Sequence, residues 1–492
     1  MSSEARRLHF MLFPLMAQGH MNPMIDIAKL IAKQGLIVTL VTTPLNALRF
    51  RSTTDRAIEA GLDIRVTLLK FPSKESGLPE GCENLDMLPS LGLVMNFMIA
   101  CGKLQEPLEQ ALREMNPPPD CIISDMGFPW TTQVAREFNV PRIAFHGTCC
   151  FSLVCSHNIR SFKLLDTIAS DSELIAVPGI PDRIEVTRVQ LPNSLSRSSP
   201  DLDEIRNKIL EADEESFGAV VNSFEELEPE YAKLYKEAKG RVWCVGPASL
   251  CNKDEIDKAA RGNKAALEDE NRWLKWLDSF EEGSVVYACL GSLCPLMPSQ
   301  MIELGQGLEA SNRPFVWVAR GKNLDELEKW MEEDGFEERI KGRGLVIRRW
   351  APQVLILSHP AIGAFLTHCG WNSMIEGVCA GLPMATWPMF AEQFLNEKLA
   401  VQVLKIGVGV GAKVRVQWGE EDEMGVLVKK EDVKRAIEMV MDEGGEGKER
   451  RRRARELGEM ARKAAEGGSS YRNLKSLIQE IGKRQQYLQN HV

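Results

Sequence analysis

The sequence has no excess of positive charge: 60 Lys and Arg stand against 69 Asp and Glu, a formal net charge of −9 over 492 residues. Sequence-independent affinity for a phosphate backbone comes from clustered cations, so no nucleic-acid partner is expected. Cysteine is present but unorganised. The twelve cysteines form no CxxC pair and no Cys/His metal spacing; Cys149 and Cys150 are adjacent and the rest lie scattered in apolar runs. They read as small buried hydrophobes in a reducing compartment. No N-x-S/T sequon occurs. Long apolar runs are missing too. The uncharged stretch Met87 to Gly102 is broken by Pro, Ser, Gly and Asn and falls short of the roughly 20 residues a membrane helix needs. The N-terminal apolar stretch stops at Pro14, too short for a signal peptide. A soluble cytoplasmic protein without an integral anchor is expected. No G-x-G-x-x-G follows a strand and no Walker loop appears, which argues against a nicotinamide enzyme or a P-loop NTPase.

What is there is an ordinary globular composition, 44% apolar and 26% charged, which excludes a disordered or fibrous chain. At roughly 150 residues per domain, two or three domains fit. Leu8 to Phe13 reads as a buried strand and Pro14 to Met21 as a loop. Pro23 to Lys33 reads as a helix, with Asn22 as cap and Pro23 in its first turn. Leu36 to Thr42 completes a βαβ unit. Asp63 to Leu69, Cys121 to Ser124 and Val140 to Phe145 read as further strands, Asp86 to Met115 and Pro129 to Phe138 as helices. A second series starts near residue 283: strands at Ser284 to Leu290, Phe315 to Ala319, Leu345 to Arg348, Ala361 to Leu366 and Met384 to Trp387, with a helix at Pro298 to Ala310. Near-continuous apolar strands alternating with helices indicate an α/β protein with parallel sheets covered on both faces. Leu250 to Asn271 is charged and poor in large apolar residues and reads as an exposed linker. The expected organisation is a domain over 1–250, a linker over 251–271, a second domain over 272–475 and a terminal helix and tail over 476–492.

The chemistry concentrates in Trp350 to Gln393. There the strand Ala361 to Leu366 runs through Thr367-His368-Cys369-Gly370-Trp371-Asn372-Ser373 into a helix. A strand, a tight turn and a helix N-terminus make an anion site from backbone N–H groups and the helix dipole. Asn372 and Ser373 suit capping positions and can donate to phosphate oxygens, and His368 adds a donor. Glu376, three and four residues further on, points from the same face and suits a diol rather than a phosphate. Trp350, at a strand end, can stack on a flat base. Taken singly, each has a plain structural explanation as cap, core ring or solvent-facing carboxylate. Together they map to the strand ends of one half.

This span resembles the 44-residue signature of plant secondary-product glycosyltransferases, the plant family-1 UDP-sugar-dependent transferases: it opens on Trp, contains HCGWNS and closes on an acidic residue and Gln. PLMAQGHMNPMIDIAKLIAKQG also resembles the family's opening. The resemblance implies a GT-B fold, two facing Rossmann-like domains with an interdomain cleft. By position, it implies that Trp350 stacks on uracil and the Ala351 backbone bonds its edge. Gln353 and Glu376 would hold the ribose. His368, Asn372, Ser373 and Ser292 would hold the diphosphate, and Trp371, Glu392 and Gln393 the sugar. Many relatives carry Asp where this chain has Glu392. Gln393 resembles the glucose users.

The base is sought in the first half. His20 lies after the first strand and Asp125 ends another, so both can reach one site. A carboxylate beside an imidazole holds its tautomer and stabilises the imidazolium. The resemblance gives His20 the role of base and Asp125 that of its orienter. The implied reaction is an inverting transfer of glucose from a UDP-sugar to a hydroxyl of a flavonoid, triterpenoid or plant hormone, giving a β-O-glycoside. No cofactor and no metal are expected, and a monomer. Asp201-Leu202-Asp203 resembles a metal-binding Asp-x-Asp but reads as the acidic first turn of a helix. Phe128-Pro129-Trp130, Phe145 to Phe151 and Leu88 to Cys101 are candidate acceptor walls or core. Lys448 to Arg455, interspersed with glutamates, reads as a solvated helix face, and Ser469 to Ile481 as a final helix. The alternatives are an epimerase-like UDP-sugar enzyme, or a binder without catalysis; loss of His20 or Asp125 would mark the latter, and both are present.

Overall fold

The computed structural model describes residues 6–491 except 193, 194, 196–199, 262–269, 295, 321–323, 349, 418, 421 and 422. The chain divides into two compact units. The first comprises Met1–Cys149, Ser199–Lys264 and Lys463–Val492; the second comprises Cys150–Ser198 and Ala265–Arg462.

The first unit is built on a seven-stranded sheet of order β3-β2-β1-β4-β5-β8-β9. Its strands are β1 (His9–Phe13), β2 (Ile37–Thr42), β3 (Ile64–Leu68), β4 (Cys121–Asp125), β5 (Arg142–His146), β8 (Gly218–Val221) and β9 (Val242–Cys244). All pairings are parallel. Because side chains alternate across a strand, β1 feeds two cores. Phe10 and Leu12 pack with Met24, Ile27 and Ile31 of the Gln18–Ala32 helix. Met11 and Phe13 pack with Phe97, Phe128 and Val134. The Ser469–His491 helix closes the first of these cores with Leu474, Leu477 and Ile481.

In the second unit β6 (Ile175–Ala176) and β7 (Glu185–Val186) form a small antiparallel pair. Its main sheet has the order β12-β11-β10-β13-β14-β15, all parallel. These strands are β10 (Val285–Cys289), β11 (Phe315–Val318), β12 (Gly344–Ile347), β13 (Ile362–Thr367), β14 (Met384–Thr386) and β15 (Gly407–Gly409). Val286, Ala288, Ala364 and Leu366 meet Leu304, Leu308 and Trp317 in its core.

Several local expectations are corrected. The first helix starts at Gln18, with Ala17 at its N-cap, so His20 sits in a helical first turn and Pro23 lies inside the helix. Pro23 has no N–H to give the Gly19 carbonyl, which the helix tolerates so near its start. The expected helix over 86–115 is two helices, Val94–Gly102 and Gln105–Glu114, preceded by short 3₁₀ turns. The linker's opening is exposed only in part: residues 253–256 face solvent, but Cys251, Asn252 and Ala259 are buried. Asp26 of the first helix pairs with Arg261 at 2.9 Å and accepts from Asn252 at 2.8 Å, while Lys29 pairs with Asp257 at 2.9 Å. Composition marked these residues as solvent-facing, whereas each charge has a buried partner on the helix. Residues 262–269 of the expected linker lie outside the described residues. The segment Cys150–Ser198 groups with the second unit rather than with the first 250 residues. The reason is local: the Cys150–Ser161 helix packs on the Gln393–Lys398 helix, and Ser152 Oγ donates to Asn396 Oδ1 at 2.7 Å.

Candidate active site

In each sheet the strand order reverses at one point, between β1 and β4 and between β10 and β13. Open α/β sheets bind ligands beyond the carboxyl ends of the strands at such a point. The candidate residues gather at these two places.

At the first, β1 hands the chain to the helix carrying His20, and β4 ends in Asp125. The register pairs Phe13 with Ser124, so the two strand ends lie level. His20 Nδ1 and Asp125 Oδ2 are 2.6 Å apart; the imidazole is one-third exposed and the carboxylate fully buried. Asp125 Oδ1 accepts the Gly127 N–H at 2.9 Å. With Asp125 ionised, Nδ1–H donates and Nε2 is the basic nitrogen. Gly147, just past β5, lies against the pair: a Cβ there would stand 3.7 Å from His20 Nδ1 and from the Gly19 carbonyl oxygen. The Thr148 hydroxyl that follows is buried without a hydrogen-bond partner among the described residues.

At the second, β13 leads through Cys369 (φ 63°) and Gly370 into the Trp371–Cys379 helix. A non-glycine residue in the left-handed region is strained, and such strain gathers at functional turns; Ala391 (φ 52°) is a second case beside Glu392. Asn372 and Ser373 are the second and third helical residues, not the cap. Gly370 is the cap and no side chain caps the helix. The turn is made by backbone, and the first-turn N–H groups have no acceptor inside the helix, a geometry able to take an anion.

His368 is wedged between two glycines. A Cβ on Gly291 (φ 84°) would lie 2.6 Å from His368 Cε1 and Nε2, and one on Gly370 would lie 2.9 Å from Cε1. Burial pushes the imidazole down to about 4, so it is neutral at physiological pH. Its Nδ1 is buried without a partner among the described residues. Ser292, half-buried, follows Gly291 at the end of β10.

Gln353, Ser373 and Glu376 are joined by hydrogen bonds. Gln353 Nε2 donates to Glu376 Oε2 at 2.7 Å and to Ser373 Oγ at 3.0 Å. Trp350 is partly exposed, its indole N–H without a partner among the described residues. The Arg320 guanidinium lies 5.2 Å from its ring centroid. Ala351 is buried beside it. Trp371 is buried. Gln393 Oε1 accepts the N–H groups of Met389 and Phe390 at 2.9 and 3.1 Å, which fixes the amide so that Nε2 is the end it can present. Glu392 Oε1 accepts from Asn396 Nδ2 at 3.3 Å, and the same amide donates to the Cys369 carbonyl at 2.9 Å.

Sequence reasoning did not find Arg320, Thr148, Asn396 or the role of Gly291 as one side of the His368 slot. Arg320, two residues past the end of β11, carried the only legible signal: a cation at a strand end. Of the suggested acceptor walls, Phe128, Phe145, Phe151 and Phe97 are fully buried core, with the Phe128 and Phe13 ring centroids 4.5 Å apart at a 30° tilt. Asp203 of the Asp-x-Asp pairs with Arg206 at 2.9 Å on the Pro200–Glu214 helix. Arg452 and Arg453 pair with Glu449 on the Gly445–Ala465 helix. No helix among the described residues is long and apolar enough to cross a membrane.

Residues 262–448 match the family model described as "UDP-glucoronosyl and UDP-glucosyl transferase". The chain is 56% identical over 478 residues to UDP-glycosyltransferase 73C12 of Barbarea vulgaris, covering 96% of each. It is 54% identical over 484 residues to UDP-glycosyltransferase 73C5 of Arabidopsis thaliana, covering 98% of each. Among solved structures it is similar to Glycyrrhiza uralensis UGT73P12 complexed with glycyrrhetinic acid 3-O-monoglucuronide, with a TM-score of 0.91, 38% identity and coverage of 99% of this chain and 98% of that one.

Proposed function

Because this chain belongs to the plant UDP-glycosyltransferase family and is a UDP-sugar-dependent transferase of GT-B fold, we propose that it moves glucose from UDP-glucose to a hydroxyl of a small lipophilic acceptor with inversion. The acceptor class is a flavonoid, triterpenoid or plant hormone, and the product a β-O-glycoside formed in the cytoplasm. The observation that carries this reading is the 2.6 Å His20–Asp125 contact at the reversal point of the first sheet. The ligand seen with the Glycyrrhiza relative, a polycyclic acid bearing a glucuronide, supports a bulky apolar acceptor.

In this reading the second unit holds the donor. Trp350 stacks on uracil, with Arg320 over its ring, and the Ala351 backbone bonds the base edge. Gln353 and Glu376, already hydrogen-bonded to each other, take the ribose hydroxyls. His368, Asn372, Ser373 and Ser292 with the helix N-terminus take the diphosphate. Trp371, Glu392 and the Gln393 Nε2 end take the sugar. A neutral His368 donates one N–H without repelling neighbouring donors. In the first unit, Asp125 fixes Nδ1–H of His20 and Nε2 accepts the acceptor's hydroxyl proton. The acceptor oxygen attacks the anomeric carbon opposite the diphosphate. The C–O bond to phosphate breaks and its electron pair leaves with UDP, whose charge the helix terminus and His368 stabilise. General-base assistance is worth roughly 10²–10⁴-fold.

The test is a panel of flavonoids, triterpenes and hormones incubated with UDP-glucose and read by mass spectrometry, with the anomeric configuration from NMR coupling. A gain of one hexose and a β-linkage are expected. An α-linked product, or hydrolysis of donor without transfer to any acceptor, would contradict the reading.

A further inference from the structure

We propose that Arg142 is a positioning residue for the His20–Asp125 pair, clamping the end of β4 that presents the carboxylate. The inference rests on the assignment of His20 as base.

Arg142 opens β5, in register with Ile122 of β4. It is only 4% exposed. Its guanidinium spreads across the neighbouring strand and two helices. Nε donates to Ser124 Oγ at 2.8 Å, and Nη2 to the Asp125 carbonyl at 3.3 Å. Nη1 donates to the Ala212 carbonyl at 2.8 Å and to Thr132 Oγ1 at 3.2 Å. Ser124 Oγ is in turn bonded to Thr131 Oγ1 at 2.7 Å. Every one of these acceptors is a neutral oxygen, and among the described residues no carboxylate lies within ion-pair distance of Arg142.

A cation buried this way is costly, and an apolar side chain would fill a strand position more cheaply. Burial draws the guanidinium down to about 10, against the opposing fields of Asp213 and Asp125. Asp213 is itself shared with His146 at 3.0 Å and Lys239 at 2.9 Å, so it is not a dedicated partner. On β4, Arg142 secures the Ser124 side chain and the Asp125 carbonyl. Asp125 is then fixed at three points: one carboxylate oxygen by His20, the other by the Gly127 N–H, and its carbonyl by Arg142. The planar fork matters, because an ammonium cannot span Ser124, Asp125 and Ala212 at once. A misplacement of about 1 Å at a catalytic group can cost about 10²-fold in rate.

The experiment uses the full chain, an acceptor that the wild type turns over, and the variants R142K, H20A and the double variant. Thermal stability, the affinity for UDP by calorimetry, and kcat and KM for UDP-glucose are measured. For R142K we expect a folded protein whose UDP affinity and donor KM stay within twofold of wild type while kcat falls roughly 10- to 100-fold. In the H20A background, R142K should change the residual rate by less than about twofold, since groups acting as one unit are not additive. If R142K keeps wild-type kcat while H20A abolishes it, the positioning role is wrong and the base assignment stands. If H20A keeps wild-type kcat, the base assignment fails and takes this inference with it. A fall in UDP affinity matching the fall in kcat, or an undiminished R142K effect in H20A, would show a general structural role and overturn the proposal. Should R142K not fold, S124A removes the Nε acceptor, together with the Ser124–Thr131 hydroxyl bond, and leaves the guanidinium in place. It is expected to lower kcat by roughly 3- to 10-fold with the donor KM unchanged, and an unchanged kcat would overturn the proposal.

Discussion

Replacing Gly370 with alanine isolates one steric relation at the centre of the donor turn. Gly370 has φ −60° and ψ 133°, extended backbone that alanine adopts without strain. The added methyl would stand 2.9 Å from His368 Cε1 and 3.1 Å from Cδ2, and would overlap Nε2. Unstrained carbon contacts lie at about 3.5–4.0 Å, so the ring or the turn must move by the better part of an ångström. Gly291 limits escape on the other side, its position only a methyl's breadth from the same ring. Overpacking of this kind costs about 1–3 kcal/mol. A displaced imidazole would also lose the hydrogen bond proposed for it to the charged diphosphate, worth about 1.5–3 kcal/mol, or roughly 10- to 150-fold in UDP affinity. Urea unfolding and UDP calorimetry on wild type, G370A, H368A and the double variant form a cycle. In the H368A background the ring is gone, so the stability cost of G370A should shrink to a few tenths of a kcal/mol, a coupling of about 1 kcal/mol or more. Wild-type stability and UDP affinity in G370A would refute the reasoning, as would an equal cost in both backgrounds.

Glu397 gives a pH-dependent prediction. Burial raises its carboxyl to about 7, and Thr386 Oγ1 donates to it at 2.9 Å. A raised folded-state pKa favours the fold below the unfolded value near 4.5 and loses that contribution as pH rises through about 7. E397Q, neutral at every pH, should therefore gain stability over wild type between pH 5 and pH 8, by up to about 3 kcal/mol; a constant difference across that range contradicts the assignment. At the ribose site, E376Q should erase most of the preference for UDP over 2′-deoxy-UDP, a change of roughly tenfold in the ratio of the two dissociation constants; an unchanged ratio moves Glu376 away from the ribose. In the first unit, D26A removes a buried carboxylate that Arg261 and Asn252 share. It should cost about 3–5 kcal/mol in denaturant unfolding, whereas a loss below about 1 kcal/mol would mean that the linker is not pinned there.

The parallel sheets were legible because strands buried on both faces read as continuous apolar runs, as in β1, β4, β10 and β13. Strand ends were then readable as ligand positions, which drew attention to His20, Asp125 and His368, while Ser292 and the individual roles came from the family resemblance. Two short strands were not legible: β9 and β15 have three residues each, Gly407–Gly409 with two glycines, too little for a periodic signal, whereas the equally short β14 was read from its apolar run. Pro23 misdirected the first helix boundary, since proline favours a first turn and here lies one turn further in. The network of Asp26, Lys29, Asp257 and Arg261 was invisible because charged residues announce solvent until a long-range partner is known. Asn396 and Arg142 were hidden because most of their partners lie far away in sequence, on other strands, turns and helices. The 44-residue signature did more for the donor site than periodicity could, because it fixes identities at positions whose geometry depends on backbone rather than on side-chain pattern.

The most direct test of His20 as the base is the rate of glucosyl transfer by H20A beside its affinity for UDP. A kcat reduced roughly 10²–10⁴-fold, with UDP bound as tightly as by wild type, is the expected result. Transfer at the wild-type rate, with the imidazole gone and the nucleotide still bound, would contradict it.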